Sequence, residues 1–234
     1  LYGVNQVRQY LDEVLQLEAV ASKDWIVNKV DRSVSGKVAK QQATGPLQLP
    51  LNNCGVMALD YNGKEGVATS VGHSPLTALI DPVAGSRNAI TESLTNIVWA
   101  PLKDGLKSVS LSANWMWACN TPGEDARLYK AVEAVSDFAI ALGINVPTGK
   151  DSLSMTQKYD DKEVIAPGTV IISAAAHCKD IRKVVEPTLK LNAGSIYYID
   201  FSKDSFKLGG SSFAQTRNAI GSQAPSVKDP GYLQ

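Results

Sequence analysis

The sequence has no excess of charge of either sign. Lysine and arginine together number 23, aspartate and glutamate also number 23, and the formal net charge is therefore zero. Proteins that bind nucleic acid or anionic membranes through broad electrostatic attraction usually carry a basic surplus, so neither partner is expected here. A single phosphate-binding site remains compatible with this balance, because it needs only a few local cations.

Long apolar runs are absent as well. No stretch of the sequence approaches the roughly 20 apolar residues that a membrane-spanning helix needs. The first residues lack the charged and then apolar pattern of a secretory signal peptide. The chain has no initiator methionine and opens inside a helical pattern, which indicates a piece of a longer polypeptide.

Cysteine and histidine are scarce. Cys54, Cys119 and Cys178 are an odd number of thiols with no C-x-x-C spacing. This usage favours buried thiols in a reducing cytoplasm over a disulfide framework or a zinc site. His73 and His177 have no metal-ligand partners at a useful spacing, so we interpret both as structural or surface residues.

Helical and strand patterns are mixed along the chain, which predicts an α+β fold rather than strict β-α-β alternation. Apolar periodicity predicts three long helices, over residues 4–17, 82–100 and 121–143. Short apolar or alternating runs predict strands at residues 25–27, 54–60, 66–71, 108–112, 144–146, 170–175 and 196–201. Residues 61–64, which contain Asn-Gly, and residues 160–162 are predicted hairpin tips.

Helix-capping residues mark two of these helices. Asp81 followed by Pro82 predicts an N-cap and a first helical position. Thr121 and Glu124 have the spacing of a capping box and predict a second helix start. Gly143 predicts the C-terminal end of that second helix.

The run at residues 149–155 (GKDSLSM) places a glycine, a lysine, an aspartate and two hydroxyls between two apolar segments. Such a joint could present backbone N–H groups and Lys150 to phosphate oxygens while Asp151 faces a metal. The spacing is not that of a Walker A loop. An ordinary polar β-turn is the alternative, since glycine, aspartate and serine are common turn residues.

Glu92 and Asn96 lie four residues apart on the predicted 82–100 helix and therefore share one face. A carboxylate and an amide in this register are hard oxygen ligands, suited to Mg²⁺ that bridges nucleotide phosphates. A solvated helix face is the alternative interpretation. Asn52 and Asn53, ahead of a predicted strand, are either turn residues or further oxygen ligands.

Four motifs occur together in one order. They are residues 31–36 (DRSVSG), 112–116 (SANWM), 122–129 (PGEDARLY) and 147–155 (PTGKDSLSM). This set resembles the family of large, single-chain phosphoribosylformylglycinamidine synthases, and the resemblance extends over essentially the whole chain. The family uses ATP, Mg²⁺ and glutamine-derived ammonia to convert an amide into an amidine in purine biosynthesis.

The resemblance implies a fold and a domain division. The synthetase core of this family resembles aminoimidazole ribonucleotide synthetase and has two pseudo-symmetric halves. Residues 1–190 resemble the second N-type α/β subdomain with a linker helix. Residues 191–234 resemble the start of the second C-type subdomain.

The resemblance also implies metal ligands. Glu92 and Asn96 match the helix that supplies Mg²⁺ ligands at a bound ATP or ADP. Asn53 matches a strand position that often carries aspartate in the family, and an amide there would bind the metal more weakly.

Further nucleotide-site residues follow from the same resemblance. Asp81 and Asn114 match positions near the nucleotide in smaller relatives. Lys150 and Asp151 lie in the family signature at residues 147–155. No catalytic residue is expected in this chain, because the catalytic histidine and the glutaminase cysteine of the family belong to other parts of the polypeptide.

The expected partners are therefore a nucleotide and the remaining domains of the same polypeptide, namely the first synthetase half and the glutaminase domain. We expect the chain to be inactive alone and to contribute nucleotide and Mg²⁺ binding together with scaffolding. A purely structural or dimerisation module, with a homodimer of the isolated chain, is the alternative.

Overall fold

A six-stranded sheet organises the computed structural model, which describes residues 3–28, 32–33, 36–203 and 206–234. The strands are β1 (Val38–Lys40), β2 (Gly55–Ala58), β3 (Gly66–His73), β4 (Ser110–Met116), β5 (Asn145–Ser152), β6 (Thr156–Tyr159), β7 (Lys162–Ile165) and β8 (Thr169–Cys178). The helices are α1 (Val7–Leu15), α2 (Asp24–Val27), α3 (Pro75–Ile80), α4 (Pro82–Ile97), α5 (Glu124–Leu142), α6 (Ser212–Thr216) and α7 (Pro230–Leu233). Short 3₁₀ turns occupy Val4–Gln6, Gly105–Ser108 and Ile181–Lys183.

The strand order of the main sheet is β1-β2-β3-β8-β4-β5, and β6 with β7 forms a separate hairpin. Within the main sheet β4 and β5 pair in parallel, while the other neighbouring strands pair antiparallel. This mixed topology with two long helices confirms the predicted α+β class. Both predicted hairpin tips are confirmed, at residues 61–64 between β2 and β3 and at residues 160–161 between β6 and β7.

One face of the sheet is packed against the long helices α4 and α5. Ile90, Leu94 and Ile97 of α4 are almost completely buried against it. Burying a side chain of this size stabilises the fold by about 1.5–3 kcal/mol. Gly72 on β3 is needed for the close approach, because a Cβ there would lie 2.1 Å from the backbone oxygen of Ala89.

The other face of the sheet is the more exposed one. Along β3 the residues alternate between buried and exposed, and Thr69, Val71 and His73 point away from the helices. On the neighbouring strand β8, Ser173 and Ala175 are exposed in the same rows. This face therefore presents small and polar side chains rather than a second apolar layer.

The helix starts were only partly predicted. Asp81 caps α4 as expected, since its carboxylate accepts a hydrogen bond from Val83 N at 2.9 Å, and Gly143 ends α5 with a positive φ of 68°. The capping box at Thr121 is wrong. Helix α5 begins at Glu124. Gly123 precedes it in a left-handed conformation with φ of 86°, so the N-cap residue is Gly123 and not Thr121.

Three strand or turn predictions are wrong. Residues 25–27 are helical rather than extended, which reflects the ambiguity of short apolar runs. Residues 149–152 are not a joint or a turn but the second half of β5, and residues 196–201 form no strand. Gly149 permits close pairing in the sheet, since a Cβ there would lie 2.7 Å from the backbone oxygen of Ala113.

The loop at residues 31–36 lies partly outside the described residues, which include only Arg32, Ser33 and Gly36 of it. After residue 206 the chain returns to the helical layer, where Asn88 Nδ2 donates to Pro225 O at 3.0 Å. Among the described helices, none has the length and apolar content needed to cross a membrane.

Candidate functional site

The edge of β3 carries two side chains from α4. Strand β2 begins at Gly55, which pairs with Thr69, so the last residues of the antiparallel strand β3 extend beyond it. Asn96 Nδ2 donates to Val71 O at 3.2 Å, and Glu92 Oε2 accepts a hydrogen bond from His73 N at 2.7 Å. These two side chains therefore occupy the hydrogen-bonding positions that a longer β2 would have filled, and they are held side by side.

Glu92 remains accessible in this position. Its side chain is 44% exposed, and His73 Nδ1 lies 3.7 Å from Glu92 Oε2. Both contacts use Oε2 rather than Oε1. The side-chain amide nitrogen of Asn96 donates to the backbone, so the amide oxygen of Asn96 points the other way.

Asn52 and Asn53 have different roles. Asn52 is buried, and its amide donates to Gln41 O and Cys54 O at 2.9 Å each while its Oδ1 accepts from Cys54 N at 3.2 Å. These bonds fold the backbone ahead of β2 and satisfy the buried amide. Asn53 is thereby left exposed beside Asn96 in the same cavity.

A cavity of about 740 Å³ opens over this edge of the sheet. Asn53, Glu92 and Asn96 line it together with two cationic side chains, Arg32 and Lys40. The three predicted metal ligands are thus brought into one place. Their donor set fits Mg²⁺, since it offers one carboxylate and two amide oxygens, and Mg²⁺ commonly uses one or two carboxylates together with phosphate and water.

The two cations of the cavity are anchored differently. Arg32 donates from Nε to Gln41 Oε1 at 3.0 Å and from Nη2 to Gln48 Oε1 at 2.7 Å. These partners are neutral, so the charge of Arg32 is not neutralised by them. Lys40 forms an ion pair with Glu186, whose pKa is lowered by that hydrogen bond.

The four predicted nucleotide residues lie elsewhere. Within the described part of the chain, the lining of the cavity includes none of them. Asp81 caps α4, and Asp151 is exposed on β5. Lys150 folds along its own strand and donates to Asp151 O at 2.8 Å and to the Ser152 hydroxyl. Asn114 pairs with Lys150 across β4 and β5, and its buried Oδ1 has no hydrogen-bond partner among the described groups.

The motif at residues 122–129 serves packing. Glu124 Oε2 accepts a hydrogen bond from Trp117 Nε1 at 2.7 Å, and Glu124 also pairs with Arg127. Arg127 Nη2 donates to the backbone oxygens of Ala78 and Leu79 at the end of α3. This set of contacts, which we call the tryptophan cluster (Trp117, Glu124 and Arg127), ties α5 to β4 and α3.

The cysteines provide no activated nucleophile. Burial raises the pKa of the Cys54 thiol to about 11, and burial also raises the pKa of Cys119 and of Cys178. Cys54 and Cys178 are buried as expected, whereas Cys119 is only partly so. In the parts of the chain that the structure covers, no group of three or more His, Cys, Asp or Glu side chains could hold a metal.

Sequence reasoning missed both cations of the cavity and the position of His73 in it. Arg32 lies in the motif at residues 31–36, which was the only available signal. Lys40 lies on the edge strand β1 and carries no motif. His73, which the sequence predicts to be structural or surface, lies at the exposed end of β3 next to Glu92.

The fold is that of solved PurL structures from Thermotoga maritima. PurLQS from Thermotoga maritima superposes with a TM-score of 0.54 at 18% identity and covers 72% of this chain and 25% of its own. T. maritima PurL complexed with AMPPCP gives a TM-score of 0.51 at 18% identity, over 74% of this chain and 27% of that one.

Among proteins with this fold, sequence comparison assigns the chain to one family. The family described as the FGAR-AT PurM_N-like domain matches residues 22–177, more than half of the chain. The chain belongs to this family.

Curated relatives are long proteins. The phosphoribosylformylglycinamidine synthase of Homo sapiens is 45% identical over 97% of this chain, and a probable synthase of Caenorhabditis elegans is 44% identical over 95%. A probable chloroplastic/mitochondrial synthase of Arabidopsis thaliana is 43% identical over 96%. The chain spans 17%, 17% and 16% of the lengths of these three relatives, in the same order.

Proposed function

We propose that the chain forms a nucleotide-phosphate and Mg²⁺ site within a ligase that converts formylglycinamide ribonucleotide into formylglycinamidine ribonucleotide. The observation that carries this proposal is the cavity that joins Arg32 and Lys40 to Asn53, Glu92 and Asn96. Arg32, whose hydrogen-bond partners are neutral, suits phosphate oxygens, and the oxygen donors of the cavity suit the metal that such phosphates carry. Relatives named phosphoribosylformylglycinamidine synthase support the ligase assignment.

Glu92, Asn96 and Asn53 would hold the Mg²⁺. When bound, the ion would neutralise phosphate charge and orient the phosphate chain. Glu92 supplies the one negative charge of this set, while the amide of Asn96 is oriented by its bond to Val71. Arg32 would contact the phosphates directly, since its hydrogen-bond partners are neutral.

Nucleotide is the ligand that this proposal favours. A PurL structure of the same fold is complexed with AMPPCP, an ATP analogue. The proposed contacts of Asp81, Asn114, Lys150 and Asp151 with the nucleotide stay predictions. Lys150 and Asn114 would have to contact it from the exposed sheet face.

The reaction itself would require the rest of the polypeptide. We propose no catalytic residue in this chain and assign it nucleotide binding and scaffolding, with the first synthetase half and a glutaminase domain as partners in the same polypeptide. The division into an N-type part at residues 1–190 and the start of a C-type part at residues 191–234 is part of the same proposal. A cytoplasmic location also stays a prediction, since one relative is named as chloroplastic/mitochondrial.

The direct test is titration calorimetry with ADP, with and without Mg²⁺, on the chain and on Glu92→Gln. The amide keeps an oxygen that can accept from His73 N but removes the charge. We expect Mg-ADP affinity to fall by about tenfold, the loss of one charge-assisted contact, with little change for ADP alone. Glu133→Gln on the exposed side of α5 is the matched control. Unchanged Mg-ADP affinity in Glu92→Gln would remove Glu92 from the site.

A structural or dimerisation role is the second candidate. Its support is the exposed sheet face, where Val71 is 51% exposed beside Ser173 and Ala175. Two such faces could pack together in a homodimer. Analytical ultracentrifugation distinguishes the candidates, because a chain that stays monomeric and still binds Mg-ADP supports the nucleotide site.

A further inference from the structure

A second, smaller recess adjoins the candidate phosphate cavity. It has a volume of about 290 Å³ and shares Asn52, Asn53 and Asn96 with the larger cavity. The wall that it does not share is mainly apolar, and it is formed by Leu51, Trp99, Val185 and Pro187. The two spaces therefore meet at the amides that are proposed to lie next to the metal.

Trp99 is the largest side chain that lines this recess. It follows the end of α4 and is 55% exposed, which is unusual for an indole at the end of a buried helix. Its backbone oxygen accepts a hydrogen bond from Val185 N at 2.9 Å. This bond attaches the segment after β8 to the end of α4, so that Val185 and Pro187 form the opposite wall.

The polar groups of the recess lie at its border with the phosphate cavity. Asn53 and Asn96 are there, together with Glu186, which is held by Lys40 of the larger cavity. An apolar wall with an aromatic ring and a few polar groups at one edge is the usual form of a site for a flat heterocycle. The charged tail of such a ligand would point toward Arg32 and Glu92.

We propose that the recess beside Trp99 binds the nucleobase of the nucleotide whose phosphates occupy the larger cavity. This inference rests on the proposed function and adds to it a base subsite and the residue on which the base stacks. The base stacks on the Trp99 indole between Leu51 and Pro187. The amides of Asn53 and Asn96 lie where the sugar and phosphates begin.

The test compares a ligand that has a base with one that lacks it. Calorimetry measures the dissociation constants of Mg-ATP and Mg-tripolyphosphate on the chain, on Trp99→Ala and on Trp99→Phe. We expect the chain to bind ATP at least about fivefold more tightly than tripolyphosphate, the lower limit for one stacked base. Trp99→Ala should bind ATP and tripolyphosphate equally and keep its tripolyphosphate affinity. Trp99→Phe should retain most of the difference in affinity between the two ligands.

Trp25→Ala is the matched control, because Trp25 is 71% exposed on α2 and lines neither space. A thermal unfolding curve of each variant verifies that the variant is folded. Equal affinity of the chain for ATP and tripolyphosphate would overturn the base subsite and leave the phosphate site standing. A full difference in Trp99→Ala would overturn the role of Trp99. If neither ligand binds the chain, the proposed function fails and the base subsite fails with it.

Discussion

The candidate cavity and the tryptophan cluster contain similar residue types, but the charged side chains of the two regions have different bonding partners. In the cluster, Glu124 and Arg127 bond to each other, to the Trp117 indole and to backbone oxygens of α3. In the cavity, Glu92 and Arg32 bond to the backbone or to neutral amides and keep accessible charge. A charged residue in a family signature is therefore not by itself a site residue, and its partners decide its role.

Stability and ligand affinity should therefore respond to different substitutions in the two regions. Substitutions in the tryptophan cluster should change the free energy of unfolding and leave the affinity for Mg-ADP unchanged in the fraction that is folded. Substitutions in the cavity should weaken the affinity for Mg-ADP and leave the free energy of unfolding nearly unchanged, because the side chains there are partly exposed and make few packing contacts.

The largest effect is expected for Trp117→Ala. The indole is 1% exposed, and a Cβ on Gly168 would lie 2.2 Å from its ring, so the ring fills its space tightly. We expect a loss of about 3–5 kcal/mol in the free energy of unfolding, measured by urea denaturation. Trp25→Ala should change it by less than about 0.5 kcal/mol. Similar values for the two tryptophans would contradict the packing role of the cluster.

Arg127→Ala should have the next largest effect on stability. It removes a charged donor from the backbone oxygens of Ala78 and Leu79. Hydrogen bonds to charged groups contribute about 1.5–3 kcal/mol, and we expect a loss in that range in the same denaturation experiment. Lys130→Ala, on the exposed side of the same helix, is the control and should be nearly neutral. A weaker affinity for Mg-ADP in Arg127→Ala would instead place this arginine in the site.

Arg32→Ala should act on binding rather than on stability. The guanidinium is held by Gln41 and Gln48 and faces the cavity, so its loss removes a charge-assisted contact to phosphate. We expect about a tenfold weaker affinity for Mg-ADP by calorimetry. Arg8→Ala, on the exposed surface of α1, should leave the affinity unchanged. An equal loss in both variants would show that only long-range charge matters.

The smallest effect concerns how stability changes with pH in acid, and it lies outside both regions. Asp180 accepts two hydrogen bonds from the Arg182 guanidinium, which lower the pKa of Asp180 to about 2 from 3.8. A carboxyl whose pKa is lowered on folding stabilises the native state above its unfolded pKa, and this contribution is lost as the pH falls from about 4 toward 2. Asp180→Asn should flatten the stability profile in that window only. Loss of stability at pH 7 alone, with an unchanged acid slope, would contradict this assignment.

Local sequence signals predicted the features that local chemistry decides. The Asp-Pro pair located the start of α4, Asn-Gly located the turn between β2 and β3, and the four-residue spacing placed Glu92 and Asn96 on one face. Gly149 does not mark a turn, because glycine also suits a strand that pairs closely with a neighbour. Arg32 and Lys40 line the cavity and are held there by contacts with Gln41, Gln48 and Glu186, and no local pattern predicts these contacts.

We propose that the edge of β3, and not the tryptophan cluster, binds the metal–nucleotide complex. The most direct measurement is the paramagnetic broadening of amide NMR signals when Mn²⁺-ADP replaces Mg²⁺-ADP on the isotopically labelled chain. We expect the signals of Asn53, His73 and Asn96 to broaden first while those of Glu124 and Arg127 persist. Broadening centred on Glu124 and Arg127, or spread evenly over the chain, would contradict the account.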